Sequence, residues 1–447
     1  MKTRAMILAL TLAAMALLAA PTAVFAGPDP APLSRLVSRD GFLFDGQGRV
    51  VLLRGANVPA HTHKPIIYGP ADVAALKAYG FNFIRLGISW DKAEPVMGQY
   101  DMEYIRSIAA FAKLCGEAGI YVMPEVHKFG WCAPGSDVPT WACNPPVKDG
   151  SDFINMSTNA NRFWNDPELQ DRFIALWKLI VPEFRDLDCV MGYNPMNEPL
   201  APTMFLPGYF DLKLFAFYDR WLAAIRPLDP LRPVVLEPCT ANMFVPMLPP
   251  PGFHHDNLVY APHPYYAHQQ MGNRLYHEPE TSYGLEKKYF RNWLEARRLG
   301  GPLLVGEYGG DPGTRFARRW LKKTWRLMDR YFIGAAIWVY DKGDGGWAIL
   351  DKAGEQKPFF RRHLRRPYPR ATAGRPVELK VDTDRVTFVY RWKPDAAATA
   401  PTEIFVPREW MKKKVTVKAG KWRYDDGAEL LIVENPKNSE ESSVVIE

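Results

Sequence analysis

The chain has 447 residues, more than one hydrophobic core usually serves, so two domains are the starting expectation. With 47% hydrophobic and 13% aromatic residues, the composition excludes a disordered chain. The formal charge of +7 becomes +5 once Lys2 and Arg4 are set aside with residues 1–26, which hold no acid; no motif of a nucleic-acid-binding protein accompanies it.

In chain order, the N-terminus reads first. Lys2 and Arg4 precede an apolar run from Met6 to Ala20, and Val24-Phe25-Ala26 offers small residues at cleavage positions before Gly27. This predicts a signal peptide over 1–26 and a secreted or periplasmic protein, with a retained anchor as the alternative. The run is short for a membrane span, and no later stretch is long and apolar enough to be one. Cys132 and Cys143 flank one loop and form either a disulfide or two thiols, while Cys115, Cys189 and Cys239 sit in apolar contexts that suit buried thiols. No Cys/His spacing resembles a zinc site.

Eight short apolar runs follow: Val50–Leu53, Phe83–Ile88, Tyr121–Val126, Val190–Tyr193, Pro233–Leu236, Leu258–Ala261, Pro302–Val305 and Ala335–Val339. Most are continuously hydrophobic, as parallel strands covered on both faces are. Helix-like segments lie between most of them: Asp72–Tyr79, Tyr104–Ala118, Pro167–Phe184, Leu212–Ile225, Leu285–Arg297 and Thr314–Asp329. The alternation predicts an α/β fold, a TIM (β/α)8 barrel over 27–368, with functional residues at the C-terminal strand ends. Past Pro367 the runs alternate apolar and polar residues at Pro376–Val381, Arg385–Arg391, Thr402–Val406 and Lys414–Lys418. That predicts a small antiparallel β-sandwich over 369–447, read as a buttress rather than a binding module. The basic stretch Arg361–Arg366 between them is either a solvated linker or a contact for anionic headgroups or acidic glycans.

Two glutamates end strand-like runs on the functional face. Glu198 lies in Asn197-Glu198-Pro199, and Glu307 follows Leu303-Leu304-Val305-Gly306. Two such carboxylates are the minimum equipment for cleaving a glycosidic bond: one protonates the leaving oxygen and the other attacks the anomeric carbon. Glu198 is expected as acid/base, with a raised pKa, and Asn197 as a partner of a sugar hydroxyl. Glu307 is expected as the nucleophile, kept ionised by Arg85, for which a purely structural ion pair is the alternative. His127, His263 and Tyr265, also at strand ends, read as sugar and nucleophile contacts; Trp338 reads either as the aromatic floor under the sugar or as core.

The series Arg85, His127, Asn197-Glu198-Pro199, His263-Pro264-Tyr265, Glu307 and Trp338 resembles glycoside hydrolase family 5. That resemblance covers Leu36 to Phe360 and implies a retaining TIM-barrel glycosidase without a cofactor. Within it, the stretch Arg54–Lys64, the segment Asn161–Asn165 and the tail from Arg366 are similar to endoglycoceramidases and related glycosylceramidases. By that resemblance Lys64 and Trp164 are expected to contact sugar. One departure stands out: the usual Asp-Met-His-Gln-Asp is here Glu125-Val126-His127-Lys128-Phe129, with Phe129 replacing the second acid. Two apolar loops, Met204–Pro207 and Met243–Pro249, either receive a lipid-like leaving group or pack on each other. The expected substrate is a β-linked glycolipid such as a glycosylceramide, with possible contact to a lipid surface. A glucanase, mannanase or other β-glycosidase acting on an oligosaccharide is the nearest alternative and a non-catalytic glycan- or lipid-binding protein the more distant one. A monomer is expected.

Overall fold

The computed structural model describes residues 33–200, 207–243, 245–265, 278–342, 346–436 and 439–447. The expected signal segment, residues 204–206 of the first apolar loop and Phe244 of the second lie outside them. Among the described residues no helix is long and apolar enough to cross a membrane.

The barrel strands are β1 (Arg54–Val58), β2 (Phe83–Ser89), β3 (Tyr121–His127), β4 (residues 190–194), β5 (Val234–Leu236), β6 (Leu258–Tyr260), β7 (Leu304–Tyr308) and β8 (Gly334–Ile337). Parallel pairing runs β3–β2–β1–β8–β7, and β5 pairs with β6. Single bridges complete the ring: β4 meets β3 through Val122–Val190 and Glu125–Asn194, β5 through Tyr193–Val234, and Tyr260 meets Leu303. The apolar runs go where parallel strands need them, since all seven residues of β2 and of β3 are buried. The polar residues inside those runs, among them Arg85, Glu125 and His127, are the ones that need partners.

Strand one differs from expectation. Val50–Val51 pairs with Leu43 and Phe44 and, on its other side, with Ala371 and Thr372. The barrel strand begins only at Arg54. Its polar residues disguise it: Arg54 donates to the buried Asp329, and Asn57 serves the site described below.

The C-terminal strands are found at Gly374–Asp382, Thr387–Pro394, Thr402–Phe405 and Val415–Lys418, joined by Tyr368–Thr372, Trp422–Asp425, Leu430–Val433 and Ser442–Ile446. They form two antiparallel sheets over a core that includes Phe388, Trp392, Ile404, Leu431 and Val444. One sheet also takes in Val37–Arg39, Phe42–Phe44 and Val50–Val51 from the N-terminal side of the barrel. Leu36, Leu43 and Val51 pack on Phe83, Tyr121, Val235, Val259 and Leu304, at or near the starts of the strands, and so close the floor of the barrel. Gly80, at φ +80°, lets the Phe405 ring come where any Cβ would stand, 2.1 Å away.

The end of the basic stretch is committed to this junction. Arg365 pairs with Glu409 and Glu429, and Arg366 with Asp329, which also accepts from Arg54 at 3.0 Å. Cys132 and Cys143 are joined in a disulfide, and Cys115, Cys189 and Cys239 are buried thiols. Asp329→Ala leaves two buried guanidinium groups facing each other, so it should lower unfolding free energy by about 3–5 kcal/mol. Urea denaturation measures this, and a loss below about 1 kcal/mol would show the junction does not depend on the cluster.

Candidate active site

At the open end of the barrel, one cation organises four strand ends. Arg85 is buried and donates to Glu307 at 2.8 Å, Glu237 at 2.8 Å, Asn197 at 2.8 Å, Asn57 at 3.0 Å and Asn194 at 3.1 Å. Glu125 lies 3.4 Å away. Asn57 and Asn194 are anchored in turn by backbone carbonyls of Gly306 and Val235. Glu307 takes a second donor, the Tyr265 hydroxyl, at 3.2 Å.

Glu198 faces Glu307 across His263. The His263 Nδ1 lies 2.9 Å from Glu198 Oε1 and 3.6 Å from Glu307 Oε2, and its Nε2 is 3.5 Å from Glu237. One atom from each of Glu198, His263 and Glu307 falls within 4.8 Å of the others. Two carboxylates this close cannot both hold full charge at low cost, and the proton they share belongs to the pair. Burial drives the Glu307 carboxyl up to about 7 against the pull of His263 and Arg85, and Glu198 and Glu237 push the same way. Burial pushes Glu198 up as well, but the hydrogen bond and charge of His263 hold it below the ordinary glutamate range. The order is therefore the reverse of the expected one. Its cause is His263, whose burial is outweighed by Glu237, Glu307 and Glu198 so that its pKa rises to about 9.

Sequence reasoning missed Glu237, although Leu236-Glu237-Pro238 repeats the strand–Glu–Pro pattern of Glu198. Glu198 has φ +41°, a conformation that disfavours any residue with a Cβ. Both sides of its backbone are gripped. Its N–H donates to Glu237 Oε2 at 2.8 Å, and its carbonyl accepts from the buried ammonium of Lys128. Burial lowers the Lys128 pKa to about 8, while Glu198, Glu237 and Glu125 favour its charge.

A cavity of about 440 Å³ opens over the pair, lined by Asn197, Glu198, Tyr265, Glu307, His127 and Trp338, with His61, Phe129 and Trp347 on its walls. Trp338 lies nearly parallel to His127 at 5.5 Å, and His127 stacks on His61 at 3.9 Å. Burial keeps both imidazoles neutral. Glu125, 2.7 Å from His127 Nδ1, fixes that ring and leaves Nε2 for the cavity. Asn197 uses its oxygen on Arg85 and one amide hydrogen on Lys128 O, with one hydrogen remaining. A second cavity of about 220 Å³ lies on the other side of Glu198, against Glu237, Thr240, Asn242 and His263, and Phe129 borders both.

Two expected sugar contacts have other partners. Lys64 Nζ lies 2.6 Å from Asp101 Oδ2, away from the cavity lining. Trp164 is buried against Phe163 and Phe210 and donates to Leu200 O at 2.9 Å, which anchors the chain leaving Glu198-Pro199. Of the second apolar loop, Met247 is buried and its N–H donates to Glu295, while Leu248 is exposed. Among the described residues, two clusters bring ligand-type atoms within 4.8 Å of one another: His61 with Glu125 and His127, and Glu198 with His263 and Glu307. The His61 and His127 rings lie 10° from parallel, so their in-plane lone pairs do not converge on one ion.

Residues 44–344 match the family described as Cellulase (glycosyl hydrolase family 5), and residues 366–446 match the glycoside hydrolase family 5 C-terminal domain. The chain belongs to glycoside hydrolase family 5. This family 5 hydrolase is 29% identical over 413 residues to endoglycoceramidase I of Rhodococcus hoagii (strain 103S), covering 84% of this chain and 80% of that one. It is 28% identical to a beta-xylosidase of Phanerodontia chrysosporium over 66% of this chain and 61% of that one. Endo-glycoceramidase II from Rhodococcus sp., solved as a ganglioside GM3 complex, superposes with a TM-score of 0.81 at 27% identity, over 91% of this chain and 98% of that one.

In this hydrolase the grip on Glu198 is open to test. Glu237→Gln and Lys128→Met should each lower kcat about 100-fold while KM stays within about threefold, because they misplace a reacting group and not the substrate. A loss carried by KM alone would show that the two residues serve binding.

Proposed function

We propose that this enzyme is a retaining β-glycosidase that cuts the bond between glycan and lipid in a glycolipid such as a glycosylceramide. The observation that carries the mechanism is the separation of the two carboxylates. Oxygens of Glu198 and Glu307 within 4.8 Å suit direct attack by one of them and leave no room for the water that an inverting pair must hold between them. Glu307 is the nucleophile: Arg85 and Tyr265 aim its two oxygens and favour its charged form. Glu198 holds the shared proton when the glycosidic oxygen reaches it and passes it to the leaving group. As the covalent glycosyl-enzyme forms, the charge on Glu307 disappears. Glu198 then becomes the base that activates water, and release of the sugar restores both groups. Asn197, His127 and Trp338 supply the polar and aromatic contacts for the sugar at the cleavage point.

The lipid half of the reading is supported by similarity to endoglycoceramidases along nearly the whole chain and by the apolar Phe129 at the mouth. The replacement of an acid by Phe129 and the likeness to a beta-xylosidase favour, as a second reading, a non-lipid β-glycoside with fewer hydroxyl contacts. Export from the cell is proposed from the N-terminal segment and from the Cys132–Cys143 disulfide, which persists in oxidising compartments.

Product analysis decides the substrate. Mature enzyme should release intact oligosaccharide and free ceramide from a glycosphingolipid, and Glu307→Gln should lose turnover by about 10³-fold or more. Turnover of soluble β-glycosides alone would overturn the lipid assignment. The pH profile tests the shared proton. The singly protonated pair is the reactive form, so kcat/KM should fall on the alkaline side around pH 7, where Glu307 loses its hold on that proton. His263→Gln removes the cation that favours ionised carboxylates and should move that limb to higher pH; a limb that stays in place would show that His263 is uncharged.

A further inference from the structure

Among the described residues, the three most exposed large apolar side chains belong to one excursion of the chain. Phe129 is 71% exposed, Phe153 72% and Ile154 79%. The excursion runs from the end of β3 into the helix Phe153–Asn165, so it stands at the end of the barrel where the strands deliver their carboxylates. Core packing does not account for it. The helix turns Met156, Ala160 and Phe163 inward, and Ile154 shares the outward face with the exposed Thr158 and Asn161. The excursion is also held in place. The Asp152 carboxylate caps the helix by accepting from Asn155 N–H at 3.3 Å, and the Cys132–Cys143 disulfide closes the intervening loop. Met156 packs beside Gly130, where an added Cβ would lie 3.3 Å from its sulfur, so the helix start adjoins Phe129. Phe129 in turn borders both cavities around Glu198, which makes the apolar surface continuous with the mouth of the active site.

We propose that Phe129, Phe153 and Ile154 form a docking patch that seats the mouth of the active site on a zwitterionic lipid bilayer. The proposal rests on the glycolipid reading. The bond to be cut in such a substrate lies at headgroup level, with its lipid half inside the bilayer. Apolar side chains on the rim of the mouth lower the cost of bringing the carboxylates to that depth by entering the interface themselves. Nearby charge does not select an anionic surface, since Lys148 stands with Asp149 and Asp152. The basic stretch before the second domain has Arg365 and Arg366 tied up in ion pairs.

The test uses the full mature chain and phosphatidylcholine vesicles free of glycolipid. Phe153→Ser together with Ile154→Ser changes two exposed side chains outside the site, so turnover of a water-soluble aryl β-glycoside and the melting temperature should not move. Sedimentation with vesicles should weaken about tenfold or more, and turnover of vesicle-borne glycosylceramide should fall in step. Equal vesicle binding by both proteins would overturn the proposal, as would binding that requires anionic lipid. A dimer of the parent chain that the double substitution abolishes would assign the patch to a second copy instead. Vesicle binding lost in the variant, with no ceramide released by either protein, would uphold docking and sink only the substrate reading.

Discussion

The guanidinium of Arg85 is the interaction on which the site depends. A buried cation is tolerated only if its donors are used, and here they reach groups on β1, β4, β7 and the residue after β5. Each of these partners would be costly to bury alone. Glu307 and Glu237 would be uncompensated charges, and the side-chain oxygens of Asn57, Asn194 and Asn197 would lose their donor. Together they satisfy one another, and the planar fork fixes their relative positions more firmly than a flexible ammonium would. A network that is only stable when complete also fixes the register of the strands that carry it.

The same cluster sets the chemistry. Glu125, Glu198, Glu237 and Glu307 face three cations, Arg85, His263 and Lys128, in one desolvated volume. The imbalance means that protons must be shared, and the group nearest the shared proton is set by which carboxylate His263 touches. That contact explains why Glu198, and not Glu307, is held low in this geometry. On the proposed mechanism, a substrate oxygen arriving at Glu198 would compete with His263 for the same carboxylate, so binding itself would redistribute the proton toward the proposed donor. The proposed covalent bond at Glu307 would then remove one negative charge and lower the affinity of Glu198 for a proton in the second half of the reaction.

Much of the barrel is legible in the sequence because parallel strands buried on both faces must be apolar throughout. Phe83–Ile88 and Tyr121–Val126 were readable for that reason, and the helix Pro167–Phe184 for its amphipathic spacing. What escaped has a common cause. β1 carries Arg54 and Asn57, whose polar side chains interrupt its apolar run. The helix Phe153–Asn165 hid behind a polar sequence with two apolar residues on its outside. Glu237 shares with Glu198 and Glu307 both residue type and strand-end position, and what sets it apart, the backbone N–H it accepts from Glu198, is visible only in the fold. For Lys64 and Trp164 the sequence gives no sign of the local partners the fold supplies, Asp101 and Leu200.

The two ends of the barrel are under different constraints. The floor is sealed by the N-terminal hairpin and the second domain, where Gly80 admits the Phe405 ring and Asp329 joins two arginines; little can change there without a cavity or an unpaired charge. The middle layer is fixed by Arg85. Only the rim is free of both demands, and Phe129 is a rim residue whose backbone N–H bonds to Ser136 O while its ring stays in solvent. A substitution at 129 therefore costs the fold little and changes what the mouth can contact. Glu198 is insulated from such a change, because Glu237 and Lys128 hold it beneath the rim. Residue 129 can therefore vary while the arrangement of Glu307, Glu237 and the asparagines stays as Arg85 sets it.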